Sequence, residues 1–238
     1  MSGDERELIR RARSQGIQVA LAVSLYGVSF GALAVISGFS VAQTMVLSLV
    51  MFSGASQFAL IGVIATGGAA AGFAAVASAG LLGIRNGLYA LRMSPIVGQG
   101  ILKRLVAAQL TVDESTAVGS AQSSLESNRA GFWATAILLY AGWNLATLLG
   151  ALLGDVLGDV RTWGLDAAAA AAFLGLVWPR LQAKEPIAVA LAAGLLTAIL
   201  LPALPAGVPI LVVAVLTIVL ALIRHRQAPE QPAREGAS

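Results

Sequence analysis

Phe52-Ser53-Gly54-Ala55-Ser56-Gln57-Phe58 lies inside an apolar run that begins near Val41, and its reading decides the fold. Two serines, a glycine and a carboxamide interrupt a segment otherwise built of Val, Leu, Met, Ile and Ala. The next apolar run closes on a second cluster, Gly83-Ile84-Arg85-Asn86-Gly87-Leu88-Tyr89, followed by Arg92-Met93-Ser94-Pro95. Amide and guanidinium groups are costly in hydrocarbon unless hydrogen-bonded, so these side chains must face a cavity or one another. Two readings stand: Ser53, Ser56 and Gln57 line a solute path, or they are hydrogen-bonding glue between helices.

Composition sets the solvent. Of 238 residues, 58% are hydrophobic and 11% charged, and the mean hydropathy is +0.83. A soluble domain carries about 25% charged residues, so this surface suits lipid rather than water. Apolar runs of roughly 17 to 25 residues, each able to cross a bilayer core as a helix, recur along the chain. The expected fold is an all-α integral membrane protein with about seven transmembrane helices, within a range of six to eight. The spans fall near 17–36, 41–66, 69–91, 131–153, 165–181, 186–201 and 208–223. A polar segment 1–14 precedes the transmembrane domain 15–223, and a basic, then disordered tail 224–238 follows it. The first run is too long for a signal-peptide core and is expected to remain as a span.

The same composition excludes several chemistries. There is no cysteine, and the single histidine, His225, sits between Arg224 and Arg226 in the tail. Neither a thiolate nor a histidine-built zinc site is available, and no cofactor or metal is expected. No glycine-rich phosphate loop and no Ser-His-Asp set is present, so the chain does not read as an enzyme. The net charge of +3 does not point to nucleic acid. The arginines flank spans, where they orient the protein and meet anionic head groups.

Along the chain, Gly27 and Gly31 form a small-xxx-small pair that reads as a packing face, and Gly150, Gly154 and Gly158 continue such a ridge later. Gly38 ends the first span and Ser40 caps the second. Ser53 and Gln57, four apart, would share a helical face. Gly54 at mid-span is either a packing notch or a local break of the kind that exposes backbone to a solute. Gly67-Gly68 makes a turn. The Ala/Gly-rich third span is expected at the centre of the bundle, with Arg85, Tyr89 and Arg92 as a polar stripe near its end. That stripe is either interfacial snorkelling or a site where Arg85 meets a carboxylate of solute or protein. Ser94-Pro95 is expected to end the helix.

Residues 96–128 read as an amphipathic or partly inserted helix. Asp113-Glu114 within them is either an exposed acidic end or a proton-carrying pair. Asn144 in the fourth span is glue or site lining. Phe30-Gly31-Ala32-Leu33 faintly echoes Leu149-Gly150-Ala151-Leu152, which hints at two three-helix repeats. Orientation is in conflict: Arg10 to Arg13 ask for a cytoplasmic N-terminus and Arg180, Lys184, Arg224 and Arg226 for a cytoplasmic C-terminus, which seven spans cannot satisfy. Either a polar eighth span lies in 98–120 or the N-terminus is external; inverted repeats favour the second, and the C-terminus is expected in the cytoplasm.

Ser53-Gly54-Ala55-Ser56-Gln57-Phe58, Arg85, Leu88-Tyr89, Ser94-Pro95 and Asp113-Glu114, in this order and spacing, resemble the AzlC family, the large subunit of branched-chain amino acid exporters. The resemblance covers roughly residues 15–223. The family usually has His or Leu near Asn86 and Gly87. The resemblance implies a secondary transporter of the bacterial inner membrane that exports branched-chain amino acids, coupled to protons. Its partner would be a small hydrophobic AzlD-like membrane protein. The residues singled out for substrate are Ser53, Gly54, Ser56, Gln57, Arg85, Asn86, Tyr89 and Asn144, and for protons Asp113 or Glu114. A carrier of another small solute, or a membrane scaffold without a path, are the alternatives.

Overall fold

The computed structural model describes residues 2–157, 174, 178, 181–205 and 207–227, and all regular structure among them is helical. The expected span at 165–181 and the tail beyond 227 fall largely outside these residues.

Helix α1 (Gly3–Ser24) begins at Ser2, whose Oγ accepts the Glu5 N–H at 3.2 Å, and runs almost unbroken into α2 (Tyr26–Ile36). Helix α8 (Leu125–Leu157) lies alongside them, pointing the same way. Small residues make this possible. Gly16 faces Gly131 and Thr135, Gly27 faces Trp143 and Ala146, Gly31 faces Thr147 and Ala151, and Gly154 faces Ala32. A methyl at Gly27 would lie 2.7 Å from the Trp143 carbonyl oxygen, and one at Gly150 would collide with that of Val28. The two helices touch backbone to backbone, as small-residue ridges allow. The two echoing tetrapeptides are thus pressed against each other.

Between these helices the chain forms α3 (Val41–Val50), α4 (Ala55–Gly67), a 3-10 turn (Gly68–Ala71), α5 (Gly72–Val97), α6 (Ile101–Leu110) and α7 (Asp113–Ser120). Ser40 caps α3 as expected: its Oγ accepts the Gln43 N–H and Gln43 Oε1 accepts the Ser40 N–H. The expected second span, however, does not cross. Helix α3 runs antiparallel to α8, with Ser48 Oγ 3.3 Å from Thr147 Oγ1 and then Tyr140 Oη on the Leu49 carbonyl. At Gly54 the chain turns, and α4 climbs back past Phe30 toward Leu33 and Ala34. Residues 41–67 are therefore a hairpin whose tip reaches the middle of the bundle.

Residues 98–120 form a second hairpin, entering from the opposite end. Helix α6 starts where Lys103 lies against Gly98 and ends with Gln109 beside Leu49 and Val50. Helix α7 then returns, placing Val118 against Gly131 and Gln122 against Gln15. The partly inserted segment expected at 96–128 is this hairpin. A long helix followed by a hairpin thus occurs twice, as α1–α4 and as α5–α7, in opposite directions. This unit differs from the three-helix repeat expected from the tetrapeptide echo.

Among the described residues, three stretches are long and apolar enough to cross a membrane, Gly3–Ile36, Ala55–Val97 and Leu125–Val156. In the second, the turn at Gly68 leaves α5 as the leg of crossing length, about 39 Å against a hydrocarbon core of about 30 Å. Helix α5 is not the centre of the bundle: Phe73 is 86% exposed and Leu91 74%. That place belongs to α8, whose glycines admit α1 and α2 while its other faces meet α3, α6 and α7. Nor does Pro95 end α5. The helix runs to Val97 because the Ile96 and Val97 carbonyls accept Arg129 Nε at 2.9 Å and Trp133 Nε1 at 3.3 Å. Two more apolar helices, α9 (Lys184–Leu200) and α10 (Val208–Gln227), follow. The start of α10 rests on the α4–α5 turn, with Gly207 packed against Val63 and Ala74.

Candidate functional site

The tips of the two hairpins meet at mid-bundle, and the polar residues gather there. The first tip depends on Gly54, whose φ of +51° and ψ of −83° no L side chain adopts without strain. Gly54→Ala is expected to lower stability by about 1 to 3 kcal/mol and to depress the melting temperature of the detergent-solubilised protein. Gly62→Ala, where nothing lies near the added methyl, serves as the control.

Ser53 lies in the break rather than on the helix, so it does not share a face with Gln57 as the spacing suggested. Its Oγ lies 3.1 Å from Ser56 Oγ. The Gly54 N–H donates to Gln57 Oε1 at 3.1 Å, which fixes the carboxamide with Nε2 as its other end. The interrupted end of α3 leaves backbone carbonyls that need donors. Leu49 O accepts from Gln109 Nε2 at 2.9 Å and from Tyr140 Oη at 3.1 Å, and Val50 O accepts from Gln109 Nε2 at 3.1 Å. Sequence reading missed Gln109. Its one signal was a lone carboxamide in an otherwise apolar and basic stretch.

The second tip carries Asp113 and Glu114 in the first turn of α7. Arg85 Nη1 lies 3.0 Å from Asp113 Oδ2, and the two side chains are only 22% and 25% exposed. Arg85 thus meets a carboxylate of the protein, one of the two partners expected for it. Helix α5 also reaches the first tip, since a methyl at Gly83 would lie 3.7 Å from Ser56 Oγ. The stripe continues: Tyr89 and Arg92 join Asp113, Glu114, Thr116 and Ser120 around an open cleft of about 370 Å³ between α5 and α7. A slightly larger cleft, about 400 Å³, lies between α1 and α8, away from these groups.

Aromatic rings form the apolar side of the meeting point. Phe58 packs edge-on to Phe30 at 5.7 Å and to Trp143 at 6.3 Å, Phe52 packs on Tyr140 at 5.0 Å, and Val112 belongs to the same cluster. Asn144 spends its Nδ2 on the Tyr140 carbonyl at 2.7 Å. Among the described residues, Gln57 Nε2, Trp143 Nε1, Asn86 Oδ1 and Asn144 Oδ1 are buried without a hydrogen-bond partner. The first two are donors and the last two acceptors. The structure therefore brings Ser53, Gly54, Ser56, Gln57, Arg85 and Asp113 to one level of the bundle. Tyr89 and Glu114 lie along the cleft below, and Trp143 joins as a residue to which sequence reading assigned no role. No group of three or more His, Cys, Asp or Glu side chains suited to a metal occurs among the described residues.

The family model described as AzlC protein matches residues 18–157, which hold both hairpins and all the residues of the polar centre. No curated protein and no solved structure matches the chain. The matched region ends short of the extent read from the sequence, but it spans more than half of the chain. With helices of membrane-crossing length and a polar centre, the chain belongs to the AzlC family.

Proposed function

We propose that this chain is a secondary transporter that exports branched-chain amino acids in exchange for protons. It works in the bacterial inner membrane with a small hydrophobic AzlD-like subunit. The observation that carries the reading is the Arg85–Asp113 ion pair, which joins α5 to the second hairpin tip inside an apolar protein. An amino acid zwitterion needs a cation and donors for its carboxylate, and an anion and acceptors for its ammonium. Arg85, Gln57 Nε2 and Trp143 Nε1 are cations or donors open to the first set; Asp113 is the anion of the second, and Asn86 Oδ1 and Asn144 Oδ1 are buried acceptors with no partner in the protein. The Phe52, Phe58 and Trp143 rings offer an apolar wall to an aliphatic side chain.

The coupling follows from Asp113. In this reading Asp113 faces the substrate ammonium, and Asp113 or Glu114 carries the proton at the same tip. Proton and substrate thus compete for one site, which is the requirement for exchange in opposite directions.

Charge orients the chain. Arg6, Arg10, Arg11, Arg13, Arg92, Lys103, Arg104 and Arg129 cluster at the end where α1 and α8 begin, whereas the opposite end of residues 2–157 carries no Lys or Arg. The basic end is cytoplasmic by the positive-inside rule. Because residues 41–67 turn back, one crossing fewer is counted between the N-terminal arginines and α8.

The test is efflux of leucine and valine from preloaded cells, with this chain alone and with an AzlD-like partner. Faster efflux that a protonophore abolishes is expected. Unchanged efflux in both cases, with protein in the membrane, sinks the reading.

A further inference from the structure

The cleft of about 400 Å³ between α1 and α8 lies outside the polar centre, at the basic end of the bundle. Arg13, Arg129 and Glu126 are its charged lining, and Trp133, Ile137 and Leu138 stand among its apolar lining. Ile137 is 54% exposed and Leu138 42% exposed, so an open apolar track runs from the two guanidinium groups toward the middle of the bundle. Arg129 is held in place: its Nε donates to the Ile96 carbonyl and its Nη1 to Glu126 Oε1 at 2.8 Å. Lys103 Nζ sits 5.7 Å from the centre of the Trp133 ring and adds a third cation near the same wall. The carboxylate of Glu126 offsets one of these charges, leaving the mouth positive.

We propose that this cleft binds one anionic phospholipid of the cytoplasmic leaflet. The phosphate lies between Arg13 and Arg129, and an acyl chain follows Ile137 and Leu138. Guanidinium groups are suited to phosphate, a tryptophan at the wall suits the head-group level, and exposed isoleucine and leucine suit a chain rather than a soluble anion. The occupant is a lipid rather than free phosphate because the aliphatic track serves no purpose for an inorganic ion. The site depends on the basic end facing the anionic leaflet and is independent of what the protein transports.

Native mass spectrometry of the full chain released from detergent, with phosphatidylglycerol added, tests the assignment. One retained phosphatidylglycerol per chain is expected, with phosphatidylcholine retained far more weakly and inorganic phosphate not competing. Arg13 is exposed and makes no helix contact that folding needs, so Arg13→Gln is the first variant. A roughly fivefold loss of lipid affinity per arginine removed is expected, with Arg13→Lys retaining most of it. Arg129→Lys, which keeps charge but not the Nε contact, reports separately on folding through its melting temperature. Equal retention by wild type and Arg13→Gln overturns the site, as does equal retention of phosphatidylcholine. Displacement by inorganic phosphate overturns the lipid as its occupant.

Discussion

Arg85→Ala and Asp113→Ala are each expected to lower export by about a hundredfold, while the double variant Arg85→Ala/Asp113→Ala folds better than either and still does not export. Each single change removes one half of an ion pair whose side chains are about three-quarters buried. Breaking such a pair costs on the order of 3 kcal/mol of stability, and losing a charged contact to the substrate, of about the same size, corresponds to the hundredfold in export. Removing both charges removes that penalty, so melting temperature should recover in the double variant. Transport should not, because the zwitterion has lost both of its charged partners. If instead the double variant exports at the wild-type rate, the pair is structural and the solute passes elsewhere. Counting protein in the membrane alongside efflux keeps the two effects apart.

Gly31→Val or Gly150→Val is expected to abolish folding into the membrane. At Gly31 even a methyl would meet the Ala151 nitrogen at 2.6 Å and collide with the Thr147 carbonyl oxygen. Neither neighbour is a flexible side-chain end, so relief requires α2 and α8 to separate along their shared length. Overpacking of a core costs about 1 to 3 kcal/mol where side chains can give way, and here only backbone can. Gly80→Val, where nothing lies near the added carbon, should accumulate normally. The check is the yield of monodisperse protein after detergent extraction; equal yields for Gly31→Val and Gly80→Val would contradict the backbone contact.

The packing ridge was legible because Gly27, Gly31, Gly150 and Gly154 recur at helical spacing, and the cap at Ser40 because its Gln43 completes a capping box. Gly54 was legible as one of two things, a notch or a break. What decides between them is the supply of donors for the stranded carbonyls of α3, and those come from Gln109 and Tyr140, 59 to 91 residues away. The same distance effect hid the return of residues 41–67. An apolar run that crosses and one that turns back have the same hydropathy, and only the partners of Phe58 and Ile61 reveal the direction. Arg85 and Asp113 were each named for their chemistry, but their meeting across a hairpin could not be read from spacing. The central helix was misjudged because an Ala/Gly-rich segment such as α5 signals close approach on one face only. Its Phe73, Ile84 and Leu91 point outward.

Two hairpin tips that meet halfway also change the electrical profile of the membrane. In the proposed orientation, the cleft lined by Tyr89 and Arg92 brings the cytoplasmic side up to Asp113. A proton that enters from outside and leaves through that cleft would carry its charge across the full potential, about 2.3 kcal/mol per 100 mV. Little of that drop would lie along the cleft itself. The voltage would be concentrated on the short septum between the tips, with Gly54 and Val112 where the field is steepest.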